Sequence, residues 1–143
     1  MSKRDIEMFL FDVYIAILKI KYTTKDFIDA QELLYSYTHW DSVIREFEII
    51  GEASKHLIES NILEKNYRVV VDFRNQITHE YFGIDPDIVW LIIHNELDIL
   101  ENTIVQLIKT MEPNLKEELT KNFIEDNHYL DFVVKKLSKF LEQ

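Results

Sequence analysis

The sequence predicts an all-α helical bundle, and three observations support this fold class. Apolar residues recur at intervals of three and four along most of the chain, which is the spacing of one buried helix face. The 143 residues include only two Gly and two Pro, too few for the many turns of a β-sandwich or barrel. Hydrophobic residues make up 47% of the chain, which is enough for a packed core. We therefore expect helices joined by a few short breaks.

The first three helices follow from the apolar periodicity. The first runs from about residue 6 to residue 20, and Thr23 and Thr24 are expected to cap a shorter second helix. The third spans about residues 41–60 and carries Gly51 in its interior, at a propensity cost of about 1 kcal/mol. Since a glycine lets another backbone come close, we expect a neighbouring helix to pack against this position.

The fourth and fifth helices have recognisable ends. The fourth begins near residue 64 and is expected to end at Gly83, a residue type common just after a helix. Asp85 as N-cap and Pro86 at the first helical position begin the longest helix. A Glu-Pro pair ends that helix after about residue 111.

This pattern divides the chain into two parts. Residues 1–111 hold the five core helices and form the main domain. Residues 112–143 are a C-terminal extension of two further helices, which we expect to pack on the same domain.

Composition and charge restrict the function. The absence of Cys excludes disulfides, thiolate chemistry and Cys-ligated zinc. The formal net charge of −10 is the opposite of the basic surface typical of nucleic-acid-binding domains. This charge argues against a general RNA-binding module more than against a nuclease, which needs positive charge only at the phosphate it cleaves. It also suits docking onto a basic protein partner.

The location expected for the protein is the cytoplasm. The N-terminal residues are charged and lack the continuous apolar segment of a signal peptide. No apolar run approaches the ~20 residues of a membrane span. We therefore predict no membrane association.

One group of polar residues stands out on the fourth helix. Arg74 and His79 form an Arg-x4-His pair, and the chain contains this spacing once. Asn75 directly follows the Arg, and Tyr81 lies two residues after the His. A chain of this composition would contain the full pattern by chance on the order of 4 times in 10,000. The four residues are therefore candidates for a functional site.

Helical geometry separates these side chains. Asn75 and His79 are about 40° apart around the helix, and Arg74 and Tyr81 are about 20° apart on another stripe. Arg74 and His79 differ by about 140° and are separated by about 7.5 Å along the axis. They can meet around one substrate if the long arginine side chain reaches over, or if a two-fold dimer combines two copies of the motif.

The residue types suit metal-independent RNA cleavage. His79 could take the proton from a ribose 2′-OH or give one to the leaving oxygen, and Arg74 could hold the phosphate. Asn75 could orient either group by hydrogen bonding. The alternative is an ordinary surface salt bridge for Arg74 and a simple helix end at His79, and periodicity alone favours that alternative.

The wider sequence resembles the HepT family, a branch of the HEPN superfamily of RNases. The resemblance includes residues 74–81, residues 48–53 on the third helix, and residues 82–90 after the motif. Spacing and order agree from about residue 3 to residue 111. The C-terminal extension departs from the family's usual length.

This resemblance implies a HEPN-type bundle and a homodimeric toxin whose paired motifs form one RNA-cleaving cleft. It implies as partner an antitoxin of the MntA type, a minimal nucleotidyltransferase. Arg74 and His79 would then be catalytic and Asn75 a supporting residue. Tyr81 would accept AMP groups from the antitoxin, and this AMPylation would silence the toxin.

Other polar residues have simpler interpretations. Glu48 and Glu52 on the third helix either hold Arg74 or His79 or form a solvated helix face, and the second account is favoured. No metal site and no cofactor are predicted, because the remaining histidines lack ligand spacing. These histidines are His39, His56, His94 and His128.

Three functions remain at this point. The leading one is the endoribonuclease toxin of a toxin–antitoxin pair. The second is a non-catalytic helical adaptor that presents substrate to a nucleotidyltransferase. The third is a purely structural dimerising bundle, and the intact Arg-Asn-x3-His-x-Tyr motif favours the first.

Overall fold

A computed structural model describes residues 1–79 and 83–142. Every regular element within these ranges is helical, which confirms the predicted all-α class. The helices, in chain order, are α1 (Lys3–Thr24), α2 (Ala30–Leu34), α3 (Tyr37–Glu59), α4 (Arg68–His79), α5 (Pro86–Leu91), α6 (Leu97–Lys109), α7 (Pro113–Asp126) and α8 (Asp131–Ser138). A π-helical segment, Ile92–Glu96, joins α5 to α6.

Helix α1 lies at the centre of the bundle. The periodicity predicts one buried face, yet α1 is buried on nearly all sides between Leu10 and Ile20. Helices α3 and α6 pack against it, and the C-terminal helices α7 and α8 also contact it. Phe11 shows this arrangement, because its ring stacks on Phe123 of α7 and meets Phe140 edge-on. The core therefore extends on both sides of α1.

The second helix is shorter than predicted and begins later. Its N-cap is Asp29, whose side chain accepts a hydrogen bond from the backbone N–H of Glu32. The expected cap at Thr23 and Thr24 is wrong, because both residues belong to the last turn of α1. The Thr24 hydroxyl instead donates to the carbonyl of Ile20, the bond that a threonine within a helix makes to the preceding turn.

The predicted longest helix begins as expected but is not α-helical throughout. Asp85 caps it by accepting from the backbone N–H of Asp87, and Pro86 occupies the first turn. The π-helical segment was not predicted. The buried residues of this stretch, Val89, Ile93 and Leu97, recur at an interval of four. The turn of a π-helix is wider than that of an α-helix, so it keeps all three side chains on the core side.

The break after residue 111 is confirmed. Both carboxylate oxygens of Glu112 accept backbone hydrogen bonds, from Asn114 at 3.0 Å and Leu115 at 2.9 Å, and so begin α7. These bonds hold the pKa of the Glu112 carboxyl below its usual range. Leu119 and Leu137 of the extension are fully buried and belong to the same core cluster as α1. No described helix is long and apolar enough to cross a membrane.

Candidate functional site

Helix α4 exposes Asn75 and His79 on the side away from its buried face, while Arg74 lies at the edge of that face. Val71, Phe73 and Ile77 point into the core, and the Phe73 ring meets Phe47 of α3 edge-on at 5.1 Å between centroids. This packing fixes the rotation of α4 about its axis. Asn75 and His79 are consequently exposed, while Arg74 is half-buried against α3.

The close approach expected at Gly51 is confirmed, and the neighbour is Arg74. A Cβ atom at Gly51 would overlap Cβ of Arg74 and lie 2.6 Å from its Cγ. The carbonyl oxygen of Val70 would be only 3.1 Å away. The arginine stem therefore crosses α3 through the space that the glycine leaves, since real carbon atoms do not approach so closely.

Among the described residues, Glu52 and Asn75 contact and orient the guanidinium group of Arg74. Its Nη2 lies 3.4 Å from Oε2 of Glu52 on α3, and its Nη1 donates to Oδ1 of Asn75 at 3.2 Å. Oε1 of Glu52 also lies 3.4 Å from Nε2 of His56, one turn further along α3. Glu52 thus contacts the motif, contrary to the favoured sequence interpretation, although about half of its side chain (48%) stays exposed.

The structure brings together part of the predicted site. Arg74 and Asn75 are in contact, and His79 follows one turn after Asn75 at the end of α4. Tyr81 lies outside the described residues. Gly83 lies beyond the described end of α4 and does not have the left-handed φ of a glycine helix cap.

A pocket of about 380 Å³ opens beside Arg74, between α1, α3 and α4. Its lining residues are Phe9, Asp12, Arg45, Glu48, Ile49, Glu52, Ala53 and Arg74. Phe9, Asp12 and Arg45 were not predicted from the sequence as site residues. The sequence feature that could have indicated the pocket is Asp12, a lone charge in an otherwise apolar stretch from residue 9 to residue 18.

The electrostatics of the pocket are mixed. Three carboxylates and two guanidinium groups share its wall, so the fully ionised lining has one excess negative charge. Burial raises the pKa of the Asp12 carboxyl, because a half-buried carboxylate loses hydration. The positive charge of Arg74 therefore lies at the edge of a pocket that also offers hydrogen-bond acceptors.

Within residues 1–79 and 83–142, no group of three or more His, Asp or Glu side chains is placed to hold a metal ion.

Fold and site together define an all-α bundle whose fourth helix presents an Arg-Asn-x3-His site beside a pocket. Residues 13–107 match the family described as Ribonuclease HepT-like, and the chain belongs to this family. The match includes the whole of α4 and most of α1 and α6, while the C-terminal extension lies beyond it.

Individual relatives agree with this assignment. The protein "Putative RNase MJ1380" of Methanocaldococcus jannaschii is 38% identical over 101 residues, which are 68% of this chain and 91% of that protein. A second protein of the same organism, "Putative RNase MJ0125", is 34% identical over 78% of this chain and 98% of its own length. "Probable ribonuclease HepT" of Thermococcus cleftensis is 30% identical over 75% of this chain and 99% of its own length. No solved structure matches the chain significantly.

Proposed function

We propose that this chain is a metal-independent endoribonuclease that acts in the cytoplasm as the toxin of a toxin–antitoxin pair. The observation that carries the proposal is the anchoring of Arg74, whose guanidinium is oriented by Glu52 and Asn75 while 34% of its side chain stays exposed. Membership of the Ribonuclease HepT-like family and the RNase names of the relatives support the choice of RNA as substrate.

The proposed reaction is attack by the ribose 2′-OH on the adjacent phosphorus. The 2′ oxygen loses its proton and forms the new P–O bond, while the bond to the 5′ oxygen breaks and that oxygen gains a proton. His79 acts as general base or general acid in these transfers. Arg74 holds the phosphoryl oxygens as negative charge develops on them, and Asn75 orients the group. The products are a 2′,3′-cyclic phosphate and a 5′-OH.

The active form is proposed to be a homodimer. Arg74 and His79 diverge by about 140° around α4, so one copy of the helix directs them to different sides. A two-fold axis beside α4 would place the Arg74 of one protomer near the His79 of the other. The two motifs would then line one cleft.

Control is proposed to come from a nucleotidyltransferase antitoxin of the MntA type. This part of the proposal rests on the family resemblance, with Tyr81 as the acceptor of AMP. The added phosphate would bring acceptor oxygens that compete with RNA for Arg74. Tyr81→Phe should therefore escape covalent silencing and keep most of its RNase activity.

Incubating the purified chain with single-stranded RNA tests the catalytic proposal. His79→Ala and Arg74→Ala should each abolish cleavage while the far-ultraviolet circular dichroism stays unchanged. His128→Ala, at an exposed histidine in the extension, is the matched control and should retain full activity. Cleavage should persist in EDTA and leave cyclic phosphate ends detectable by mass spectrometry. A folded His79→Ala protein that still cleaves would refute the assignment.

A second candidate function is a non-catalytic helical partner of a nucleotidyltransferase. The net charge of −10 favours it, because an acidic surface suits a basic protein partner better than RNA. A folded wild-type chain that cleaves no RNA but binds a nucleotidyltransferase tightly would establish this alternative.

A further inference from the structure

We infer that the pocket between α1, α3 and α4 is a nucleobase subsite that accepts the base next to the scissile phosphate and prefers bases with an exocyclic amino group over uracil. The inference rests on the proposed function, because it takes Arg74 as the group that holds the phosphate.

The position of the pocket supports a base next to the cleaved linkage. Arg74 lines the pocket and is also the proposed phosphate ligand, so a base placed here belongs to a nucleotide bound at that arginine. The volume of about 380 Å³ falls at the lower end of the range typical of small-ligand sites. RNA-binding proteins read single-stranded bases in this way, by removing them from the stack into a pocket.

The pocket offers an apolar surface for the flat face of a base. Phe9, Ile49 and Ala53 supply it from α1 and α3. The Phe9 ring is held in place because His56 stacks on it, with 4.5 Å between centroids and an interplanar angle of 6°. Aromatic rings of this kind bind bases by stacking, irrespective of base identity.

The charges of the wall determine which part of RNA fits. Asp12, Glu48 and Glu52 outnumber Arg45 and Arg74, so a second phosphate deep in the pocket would be repelled. Carboxylates instead accept hydrogen bonds from amino groups, as they do from N4 of cytosine. Adenine and guanine also carry an amino group, whereas uracil presents two carbonyls. An amino-bearing base is therefore the matching occupant.

Asp12 is the strongest discriminating group. It is half-buried on α1, and burial raises the pKa of its carboxyl because the charged form is poorly hydrated there. A poorly hydrated carboxylate gains more from a bound donor than an exposed one does. Glu48, which is exposed, provides a second acceptor on the α3 side.

Cut-site mapping on short RNAs tests the subsite. The substrates are end-labelled 12-nucleotide oligouridines that carry one central A, C or G, with plain oligouridine as reference. The wild-type chain should cut beside the substituted base about 10-fold more often than at U–U linkages. Asp12→Asn and Glu48→Gln should each reduce this preference to about twofold, because their amide NH2 groups pair with uracil carbonyls instead. Cleavage of plain oligouridine should rise in both variants, because the new amide NH2 groups give the uracil carbonyls a donor in the pocket.

Glu46→Gln is the matched control. Glu46 also lies on α3 and is buried, but it does not line the pocket, so its variant should keep the wild-type preference. Thermal unfolding followed by circular dichroism shows that each variant is folded. Since Glu48 is exposed, Glu48→Gln keeps the test available if Asp12→Asn unfolds.

The outcomes separate this inference from the proposed function. If the wild-type chain cuts no RNA, the proposed function fails and the subsite with it. If wild type cuts but the variants keep its base preference, the subsite is wrong and the proposed function stands. Sedimentation gives a further result that would disprove the subsite. Variants that change the monomer–dimer equilibrium and leave base preference unaltered would show that a second copy of the chain covers the pocket.

Discussion

Arg74 crosses α3 directly over Gly51, in a space where no larger residue fits. The next residue of α3, Glu52, contacts the guanidinium at the end of the same side chain. Two consecutive positions therefore have complementary roles, since Gly51 admits the arginine stem and Glu52 orients its charge. The position of the candidate catalytic arginine depends on both.

Replacing Gly51 by Ala should displace α4 from α3. The added Cβ would overlap Arg74, and overpacking of this kind costs about 1–3 kcal/mol. The gain in helix propensity offsets about 1 kcal/mol of that cost. We expect a net loss of up to about 2 kcal/mol in the free energy of unfolding, measured by urea denaturation, and a fall in RNA cleavage.

Gly83→Ala provides the control for this substitution. Among the described residues, no atom lies within 4 Å of the position that a Cβ at Gly83 would take, and the Gly83 backbone is not left-handed. Its unfolding free energy should stay within about 0.5 kcal/mol of wild type. Equal effects of the two substitutions would contradict the role assigned to Gly51.

Glu52→Gln should reduce activity with little effect on stability. The Arg74–Glu52 pair is partly exposed to solvent, so it contributes at most about 1 kcal/mol to folding. Orientation of the guanidinium matters more for catalysis, where small displacements cost up to about 100-fold. We expect roughly 10-fold slower turnover with KM changed less than kcat. Glu117→Gln, which removes the exposed pair with Lys121 on α7, should affect neither.

Much of the fold could be predicted because apolar periodicity reflects burial directly. The cap at Asp85, the helix break at residues 112–113 and the close approach at Gly51 could also be predicted, since each depends on one residue type at one place. The all-round burial of α1 could not be predicted, because it results from packing against helices more than a hundred residues away. The division of the chain near residue 111 stays a prediction.

The site was only partly predictable for a similar reason. Arg74, Asn75 and His79 are close in sequence, and their spacing marked them as candidates. The pocket residues Phe9 and Asp12 come from α1, and only tertiary packing places them beside α4. The π-helical segment depends on how the buried positions of one helix fit their neighbours, which periodicity alone does not specify.

Stability should depend on the Glu46 carboxyl in a pH-specific way. Burial raises the pKa of Glu46 above its ordinary value of 4.5, and nearby Lys19 and Arg45 only partly oppose this. The folded state therefore binds the proton more tightly than the unfolded state. This contribution to stability is complete below pH 4.5 and is lost as pH rises through the raised pKa.

Glu46→Gln removes that contribution because glutamine does not titrate. The stability of the variant relative to wild type should increase from acidic to neutral pH, measured by urea denaturation across that range. A stability difference that does not change with pH would contradict the assignment.

The C-terminal extension should be part of the cooperative core. Phe140 is 4% exposed and meets the rings of Phe11 and Tyr14 edge-on. Phe140→Ala should lower the unfolding free energy by about 3–5 kcal/mol. Phe132→Ala is the matched control, since its ring stacks on the exposed Tyr22, and it should cost about 1 kcal/mol. Equal small losses would mean that the extension does not stabilise the rest of the bundle.

Mixing two inactive variants tests whether the site is shared between protomers. The divergence of Arg74 and His79 around α4 predicts that each cleavage centre uses the arginine of one protomer and the histidine of the other. Arg74→Ala and His79→Ala homodimers should both be inactive. A heterodimer of the two variants would retain one complete centre out of two, because the intact Arg74 and His79 then belong to opposite chains.

Equal amounts of the two variants, unfolded together and refolded, should regain about a quarter of wild-type activity, because about half of the dimers are mixed. Sedimentation should show a species of about 34 kDa, twice the 17.2 kDa of one chain. Refolding either variant alone is the control and should restore no cleavage. Mixed dimers that form but stay inactive would place Arg74 and His79 of the same protomer in one centre.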